Sequence, residues 1–359
     1  MSIKQIVSFV FRSVLLGCIV AALILLFVPD LRVGNGFGKH FFDNSPRSAI
    51  NRLSYYDALS VSAPAVVNIY SVSIENTSSL FNPARSRERT SLGSGVVMTE
   101  TGYILTCYHV VNDADSINVQ LQDGRFLEAQ MVGFDVFTDL AVLKVNADNL
   151  HVMPQLEDTQ TRVGDLVMAI GNPYDLGQTI THGIVSKTGR NGLANFVDFV
   201  QTDAVLNQGN SGGALVDSDG YLIGITNASF LVRDNRRRVR AVDGVNFAIP
   251  YELAIRVMNQ IIATGKVTRG QLGFNGSEFY NRSGIVVTGV QPGSPADTGG
   301  LQVNDLLVAI DGEPVESAPK ALDLIAETPP GTIMTLEVMR GDNQRMTLQV
   351  VVGELSNPQ

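Results

Sequence analysis

Residues 209–213, Gly209-Asn210-Ser211-Gly212-Gly213, set one serine among glycines. Glycine tolerates positive φ and close approach of other backbone, so such a turn can aim the amides of Gly209 and Ser211 at one point in space. A tetrahedral oxyanion would form at that point if the Ser211 hydroxyl attacked a carbonyl. The chemistry expected is therefore nucleophilic acyl transfer, with Gly209, Asn210 and Ser211 as the oxyanion hole. A serine alone is a weak nucleophile, so the pattern also requires a histidine base and a group to orient it.

The chain has four histidines, His40, His109, His151 and His182, and all precede Ser211. The same turn fits the G-x-S-x-G elbow of α/β-hydrolases, but their chain order is Ser, acid, His. With no histidine after Ser211 that plan fails, and the order His, Asp, Ser of chymotrypsin-type double barrels stays open. Residues 93–98 and 103–109, around a turn at 99–102, read as a hairpin whose second strand ends at His109. His40 lies in a Gly/Asn-rich stretch and His151 in a surface connection, which leaves His182, on a strand-like run, as the rival base. Asp139 opens an apolar run at 140–145. A strand there would carry a buried carboxylate to the imidazole and hold its tautomer. Asp135 is the competing acid.

These groups need a rigid scaffold. From residue 55 to about 250, short β-branched runs recur between Gly, Asn and Asp turns, an all-β signature. Residues 76–90, containing Arg85, Arg87 and Arg89, have no core pattern and are expected to form a mobile loop. Leu253, Ala254, Val257, Met258, Ile261 and Ile262 fall at helical spacing after Pro250, with Gly265 as the stop. A second module over 270–355 has strand-like runs at 285–290, 306–310, 332–340 and 345–352 and a helix at 318–327. Turns at Asp311-Gly312 and Gly341-Asp342 fit its hairpins.

A length of 359 residues leaves room for two or three domains. The net charge of −9 argues against nucleic acid as the main partner. Two cysteines, Cys18 and Cys107, make no disulfide framework. Residues 6–28 are apolar apart from Ser8, Arg12 and Ser13. As a helix they would extend roughly 35 Å, enough for a hydrocarbon core of about 30 Å. No small-residue cleavage signal follows. Lys4 and Arg12 favour a cytoplasmic N-terminus, although Arg32 and Lys39 weaken that asymmetry. The expected organisation is a cytoplasmic tip and transmembrane anchor at 1–30, a linker at 31–54, a protease domain at 55–265 and a last domain at 270–355. Everything after the anchor is expected in a bacterial periplasm. The sequence has no H-E-x-x-H, paired C-x-x-C or phosphate-cradling loop, so no metal or nucleotide cofactor is expected.

Leu105-Thr106-x-x-His109-Val110-Val111, the run from Thr138 to Lys144, and Gly209 to Leu215 resemble the three catalytic blocks of the HtrA (Deg) family of serine endoproteases. Ala169-Ile170-Gly171-Asn172-Pro173 and Phe247-Ala248-Ile249-Pro250 also match that family. Cys107 departs from it, standing where the family usually has asparagine. The resemblance implies a mainly β protein, with a chymotrypsin-like double β-barrel followed by one α+β PDZ domain and preceded by a transmembrane helix. It places the catalytic triad on His109, Asp139 and Ser211. Gln271-Leu272-Gly273-Phe274 would form the PDZ loop that receives a peptide carboxylate, the peptide then adding as a strand.

In chymotrypsin-like folds the residue six before the nucleophile sets the base of the specificity pocket. Here it is Val205, which predicts cleavage after Val, Ala or similar residues. Arg190 matches the family's loop arginine that couples the PDZ domain to the oxyanion loop. Arg233, Arg236, Arg237, Arg238 and Arg240 read as a solvated loop. With one PDZ domain and an uncleaved anchor, the family resemblance implies a homotrimeric inner-membrane endoprotease activated by C-terminal peptides of misfolded outer-membrane proteins. Its substrate would be an anti-sigma factor of the RseA kind, whose first cut starts the σE envelope-stress response. Two alternatives stay open: a general periplasmic quality-control protease and, from another class, a catalytically silent peptide-binding scaffold.

Overall fold

The computed structural model describes residues 3–27, 54–79, 82–156, 160–189, 196–233, 239–279, 282–341 and 344–355. The chain divides into two compact units, Met1–Ser54 and Tyr55–Gln359. In the first, helix α1 covers Ile3–Phe27. Among the described residues no helix is long and apolar enough to cross a membrane. Of the expected transmembrane segment, the helix is what the structure contains. His40 and the linker at 31–52 lie outside the described residues.

The second unit begins with helix α2 (Tyr56–Ser62) and two closed barrels. The first barrel holds β1 (Val66–Ser79), β2 (Asn82–Val97), β3 (Tyr103–Cys107), β4 (Ser116–Gln120), β5 (Phe126–Asp135) and β6 (Leu140–Lys144). Its order is β1-β2-β3-β6-β5-β4, closed by the β1–β4 pair. A one-turn helix α3 (Tyr108–Val111) interrupts the chain after β3. The second barrel holds β7 (Leu166–Gly171), β8 (Thr179–Lys187), β9 (Val200–Thr202), β10 (Ala214–Asp217), β11 (Leu222–Arg233) and β12 (Val239–Pro250). Its order is β10-β11-β12-β9-β8-β7. In β6, Leu140, Ala141, Val142 and Leu143 are all fully buried. An unbroken apolar run replaces alternation there because both faces of the strand are covered.

Helix α4 (Tyr251–Thr264) supplies part of that cover. Ala254, Val257, Met258 and Ile261 join the core of the first barrel, which is why apolar residues fall at helical spacing. Gly265 ends the helix at φ +77, its amide on the Ile261 carbonyl, a left-handed cap that glycine adopts without strain.

The expected mobile loop at 76–90 is corrected by the structure. β1 and β2 pair from Val66↔Val96 out to Thr77↔Arg85. Backbone pairing with an already formed strand holds this segment, which an apolar pattern does not reveal.

Past α4 come β13 (Gly270–Gln271), β14 (Phe274–Phe279), β15 (Arg282–Val290), helix α5 (Pro295–Thr298), β16 (Leu306–Ile310), β17 (Glu313–Pro314), helix α6 (Ala318–Glu327), β18 (Ile333–Arg340), β19 (Gln344–Val351) and β20 (Gly353–Glu354). β14-β15-β16-β18-β19 form one sheet over a separate core that includes Val287, Leu307, Ile325, Leu336 and Val350. The expected turn is present: Asp311 and Gly312 both have positive φ, the geometry of the tight hairpin joining β16 to β17. Asp342, of the second expected turn, lies outside the described residues.

Candidate active site

The first barrel brings the histidine and its acid together. β3 ends at Cys107, two residues earlier than the sequence pattern predicts, and His109 rides on α3. β3 pairs with β6 as Cys107↔Leu140, which sets Asp139 beside the helix. The Tyr108 amide donates to the Asp139 carbonyl at 2.9 Å, and the His109 amide to Asp139 Oδ1 at 2.9 Å. Those two backbone bonds fix the carboxylate so that Oδ2 lies 2.5 Å from His109 Nδ1. Asp139 reaches this position at φ +56, a left-handed conformation that costs most side chains about 1–2 kcal/mol and Asp least. The carboxylate is not buried as the sequence reading expects, because 30% of its side chain is exposed.

The serine turn comes from the second barrel and is bolted to the first. The Ser94 amide donates to the Ser211 carbonyl at 2.9 Å, and Ser94 Oγ donates to the Gly209 carbonyl at 2.7 Å. The same Ser94 Oγ accepts from the Asn172 amide at 2.9 Å. Gly212 has φ +83, and a Cβ there would come within 2.2 Å of the Ser94 carbonyl. Only glycine fits so close an approach.

The oxyanion amides follow from the same turn. The Tyr174 amide holds the Gln208 carbonyl at 3.1 Å. In a trans peptide the C=O and N–H point opposite ways, so the Gly209 N–H faces away from Tyr174. Among the described residues, the amides of Gly209 and Ser211 have no hydrogen-bond partner. The Asn210 amide donates to the Asn207 carbonyl at 3.0 Å, so Asn210 offers no free donor. The amides left to meet an oxyanion are thus those of Gly209 and Ser211, the pair the glycine turn is expected to aim.

Ser211 Oγ does not bond to His109 in this structure. It donates to the main-chain carbonyl of Asn227 at 2.7 Å. The β11–β12 register shifts between Thr226 and Ala228, so Asn227 is a bulged residue. A bulge withdraws a carbonyl from the ladder, and here that carbonyl takes the serine hydroxyl. The Asn227 side chain turns the other way, its Nδ2 donating to Asp139 Oδ2 at 2.8 Å. Sequence reasoning missed Asn227 and Ser94, because neither bulge nor cross-barrel bond leaves a local pattern. Cys107, fully buried behind the pair, donates to the Thr226 carbonyl. Burial first, and then the Asp139 carboxylate, push its thiol well above the ordinary cysteine range.

The other candidates are sorted by the same geometry. Asp135 is buried and forms a bidentate ion pair with Arg269, both contacts at 2.7 Å. Thr138 also donates to it, through its amide and its hydroxyl. His182 stands exposed on β8 against the Tyr55 ring, and His151 is exposed in a connection. Val205 is half exposed, its carbonyl held by Thr181 Oγ1 at 2.8 Å. The nearest acid in sequence, Asp203, accepts the Ile184 amide at 2.7 Å. Arg190, Arg236, Arg237 and Arg238 lie outside the described residues.

A cavity of about 440 Å³ sits beside β14 and is lined by Gly270, Gln271, Leu272, Gly273 and Phe274. Gly273 has φ +78, and the amides of Leu272 and Gly273 have no partner among the described residues. Phe137 and Phe196, which belong to the barrel unit, line the same cavity. The Arg269 guanidinium lies 5.5 Å from the Phe137 ring and 5.3 Å from the Phe196 ring. The cavity beside β14 is thus joined through Phe137, Phe196 and Arg269 to Asp135, four residues before Asp139.

Comparison with known proteins agrees with this arrangement. Residues 93–225 match the trypsin-like peptidase domain family, and residues 286–340 the PDZ domain family. The chain is 45% identical over 356 residues to serine endoprotease DegS of Escherichia coli (strain K12), covering 96% of this chain and 97% of the relative. It is 40% identical to serine endoprotease DegS of Haemophilus influenzae, covering 92% and 94% of the two chains. Among solved structures, the HtrA-type protease AlgW with tripeptide is 42% identical, with a TM-score of 0.76 over 85% of this chain and 98% of that one. The serine endoprotease from Yersinia pestis gives a TM-score of 0.70 at 43% identity, covering 85% and 99%.

Proposed function

This chain belongs to the DegS group of HtrA-type serine endoproteases, and from that premise we propose that Ser211 is its nucleophile, His109 its general base and Asp139 the group that orients the imidazole. The observation that carries the assignment is the 2.5 Å contact of His109 Nδ1 with Asp139 Oδ2, next to a serine turn held by Ser94. The resting hydroxyl is parked on Asn227. Activation is the rotation of Ser211 Oγ toward His109 Nε2. His109 then takes the hydroxyl proton as Oγ attacks the scissile carbonyl. The amides of Gly209 and Ser211 receive the developing oxyanion. His109 returns the proton to the leaving amine, and water later frees the acyl group by the same steps in reverse.

The domain plan that fits this chemistry is a protease domain at 55–265 and a PDZ domain at 270–355, with α1 as an anchor in a bacterial inner membrane. Twenty-five helical residues would reach about 37 Å. Ile180 and Ile184 stand exposed on β8, as Tyr56 and Val61 do on α2. A homotrimer is the assembly that membership of this family supports. Val205 gives the specificity pocket an uncharged residue, so cleavage falls after small or medium apolar side chains.

A peptide C-terminus in the groove at Gln271, Leu272, Gly273 and Phe274 would press on Phe137 and Phe196. That contact offers a physical route from peptide to protease through Arg269 and Asp135. The activating peptides are C-termini of misfolded outer-membrane proteins, and the substrate is an anti-sigma factor of the RseA kind. The decisive test uses the full chain in detergent with a reporter peptide carrying Val at the cleaved position. Hydrolysis should rise with an added apolar C-terminal peptide and vanish in Ser211→Ala. Unstimulated degradation of casein would favour the general quality-control protease. Absence of fluorophosphonate labelling at Ser211, even with peptide present, would favour the silent scaffold.

A further inference from the structure

Cys107 is a buried thiol at this site that proteolysis leaves unused. It contributes one of three ligand atoms, with His109 and Asp139, that all lie within 4.8 Å of one another. Thiolate, imidazole and carboxylate are the donor types Zn²⁺ takes, at about 2.3 Å to sulfur and about 2.0–2.2 Å to nitrogen and oxygen. Tetrahedral bonds of those lengths put the donors roughly 3.3–3.7 Å apart, so the 2.5 Å contact of His109 with Asp139 must open by about an ångström while the widest separation, at most 4.8 Å, draws in. Two of the three ligands reach solvent: 48% of the His109 side chain and 30% of the Asp139 side chain are exposed. An open groove reaches His109, one of the three ligands. That groove of about 530 Å³ is lined by His109, Asn112, Asp113 and Asp115, with Arg89 the one guanidinium among the described residues on its wall. Two carboxylates at that mouth raise the local concentration of a dication.

We propose that Cys107, His109 and Asp139 form an inhibitory Zn²⁺ site that switches the protease off reversibly. The ion bonds Cys107 Sγ, His109 Nδ1 and one Asp139 oxygen, with water as the fourth ligand. The imidazole proton moves from Nδ1 to Nε2 through solvent, the thiol proton leaves to bulk water, and Asp139 is already a carboxylate. One proton is released per ion bound, and nothing is oxidised or reduced. With metal on Nδ1 and hydrogen on Nε2, His109 has no lone pair left for the Ser211 proton. The ion is thus an inhibitor of the reaction and takes no part in it.

This inference rests on His109 being the catalytic base, and its test separates the two claims. The full chain is purified in detergent in a Cys18→Ser background, so that Cys107 is the only thiol, and stripped of metal. Co²⁺, which takes zinc's place in such sites, should give a near-ultraviolet thiolate-to-metal band with Cys107 present and none in Cys107→Ala. That readout holds whether or not the protein cuts peptides. Peptide hydrolysis should fall at least tenfold, with a midpoint at about 1–10 µM free Zn²⁺, and recover on adding EDTA. In Cys107→Ala, measured against its own metal-free rate, the midpoint should move at least tenfold higher. Should that variant fail to fold, the cobalt band of the Cys18→Ser protein decides alone. Absence of the band, or an unchanged zinc midpoint in Cys107→Ala, overturns the site.

Discussion

Asn227 touches both ends of the proposed catalytic machinery. Its main-chain carbonyl accepts the Ser211 hydroxyl at 2.7 Å while its side-chain amide donates to Asp139 at 2.8 Å. One bulged residue therefore parks the nucleophile and braces the acid. Asn227→Ala leaves the carbonyl in place and removes the brace together with the Nδ2 contact to Cys107 Sγ. A hydrogen bond to a charged group contributes about 1.5–3 kcal/mol, so peptide hydrolysis should fall roughly 10–100-fold with little change in KM. Steady-state kinetics with saturating activating peptide checks this, and an unchanged kcat would remove Asn227 from the machinery.

Ser94 joins the two barrels beneath the serine turn. Ser94→Ala strips the Gly209 carbonyl and the Asn172 amide of a partner in a fully buried place. Each orphaned buried group costs about 1–3 kcal/mol. A loss of at least about 2 kcal/mol in urea unfolding is expected, together with reduced fluorophosphonate labelling of Ser211. Full stability in the variant would show that the turn relaxes onto another donor.

Gly212 separates sterics from chemistry. A methyl group at this position meets the Ser94 carbonyl and Thr106 Oγ1, at 2.2 and 2.3 Å, in a left-handed backbone. Gly212→Ala should displace Ser211 by a fraction of an ångström or more and lower kcat/KM by about 100-fold or more. A near-native rate would contradict the packing described above.

Arg269 and Asp135 form a buried pair whose halves depend on one another. Arg269→Ala leaves a carboxylate that is 1% exposed without its cation, and breaking such a pair costs about 3–5 kcal/mol. The double change Arg269→Met with Asp135→Leu removes both charges and should recover most of that loss. Chemical denaturation of the three proteins makes the comparison. If the single change is as stable as the parent, the pair is not holding the module to the barrel.

Much of the architecture can be read from local pattern. The β16–β17 hairpin follows from Asp311-Gly312, two residues that accept positive φ, and α4 follows from apolar residues at helical spacing ahead of Gly265. The segment at 76–90 carries no such pattern and reads as a loop, since its order comes from pairing along β1. The acid shows the same limit. Asp135 and Asp139 look alike in sequence, and they part only because β3 pairing brings Asp139 to His109 while Arg269 arrives from 134 residues away to claim Asp135.

The residue types and their order, a serine among glycines preceded by Asp139 and His109, were enough by themselves to name the reaction class. Three-dimensional packing alone decided that Ser211 rests on Asn227, that Ser94 supports the turn from 115 residues away, and that Cys107 lies beside the imidazole. The reason is physical. Periodicity and turn chemistry act over a few neighbouring residues, whereas these contacts join groups whose nearness exists only once both barrels have closed.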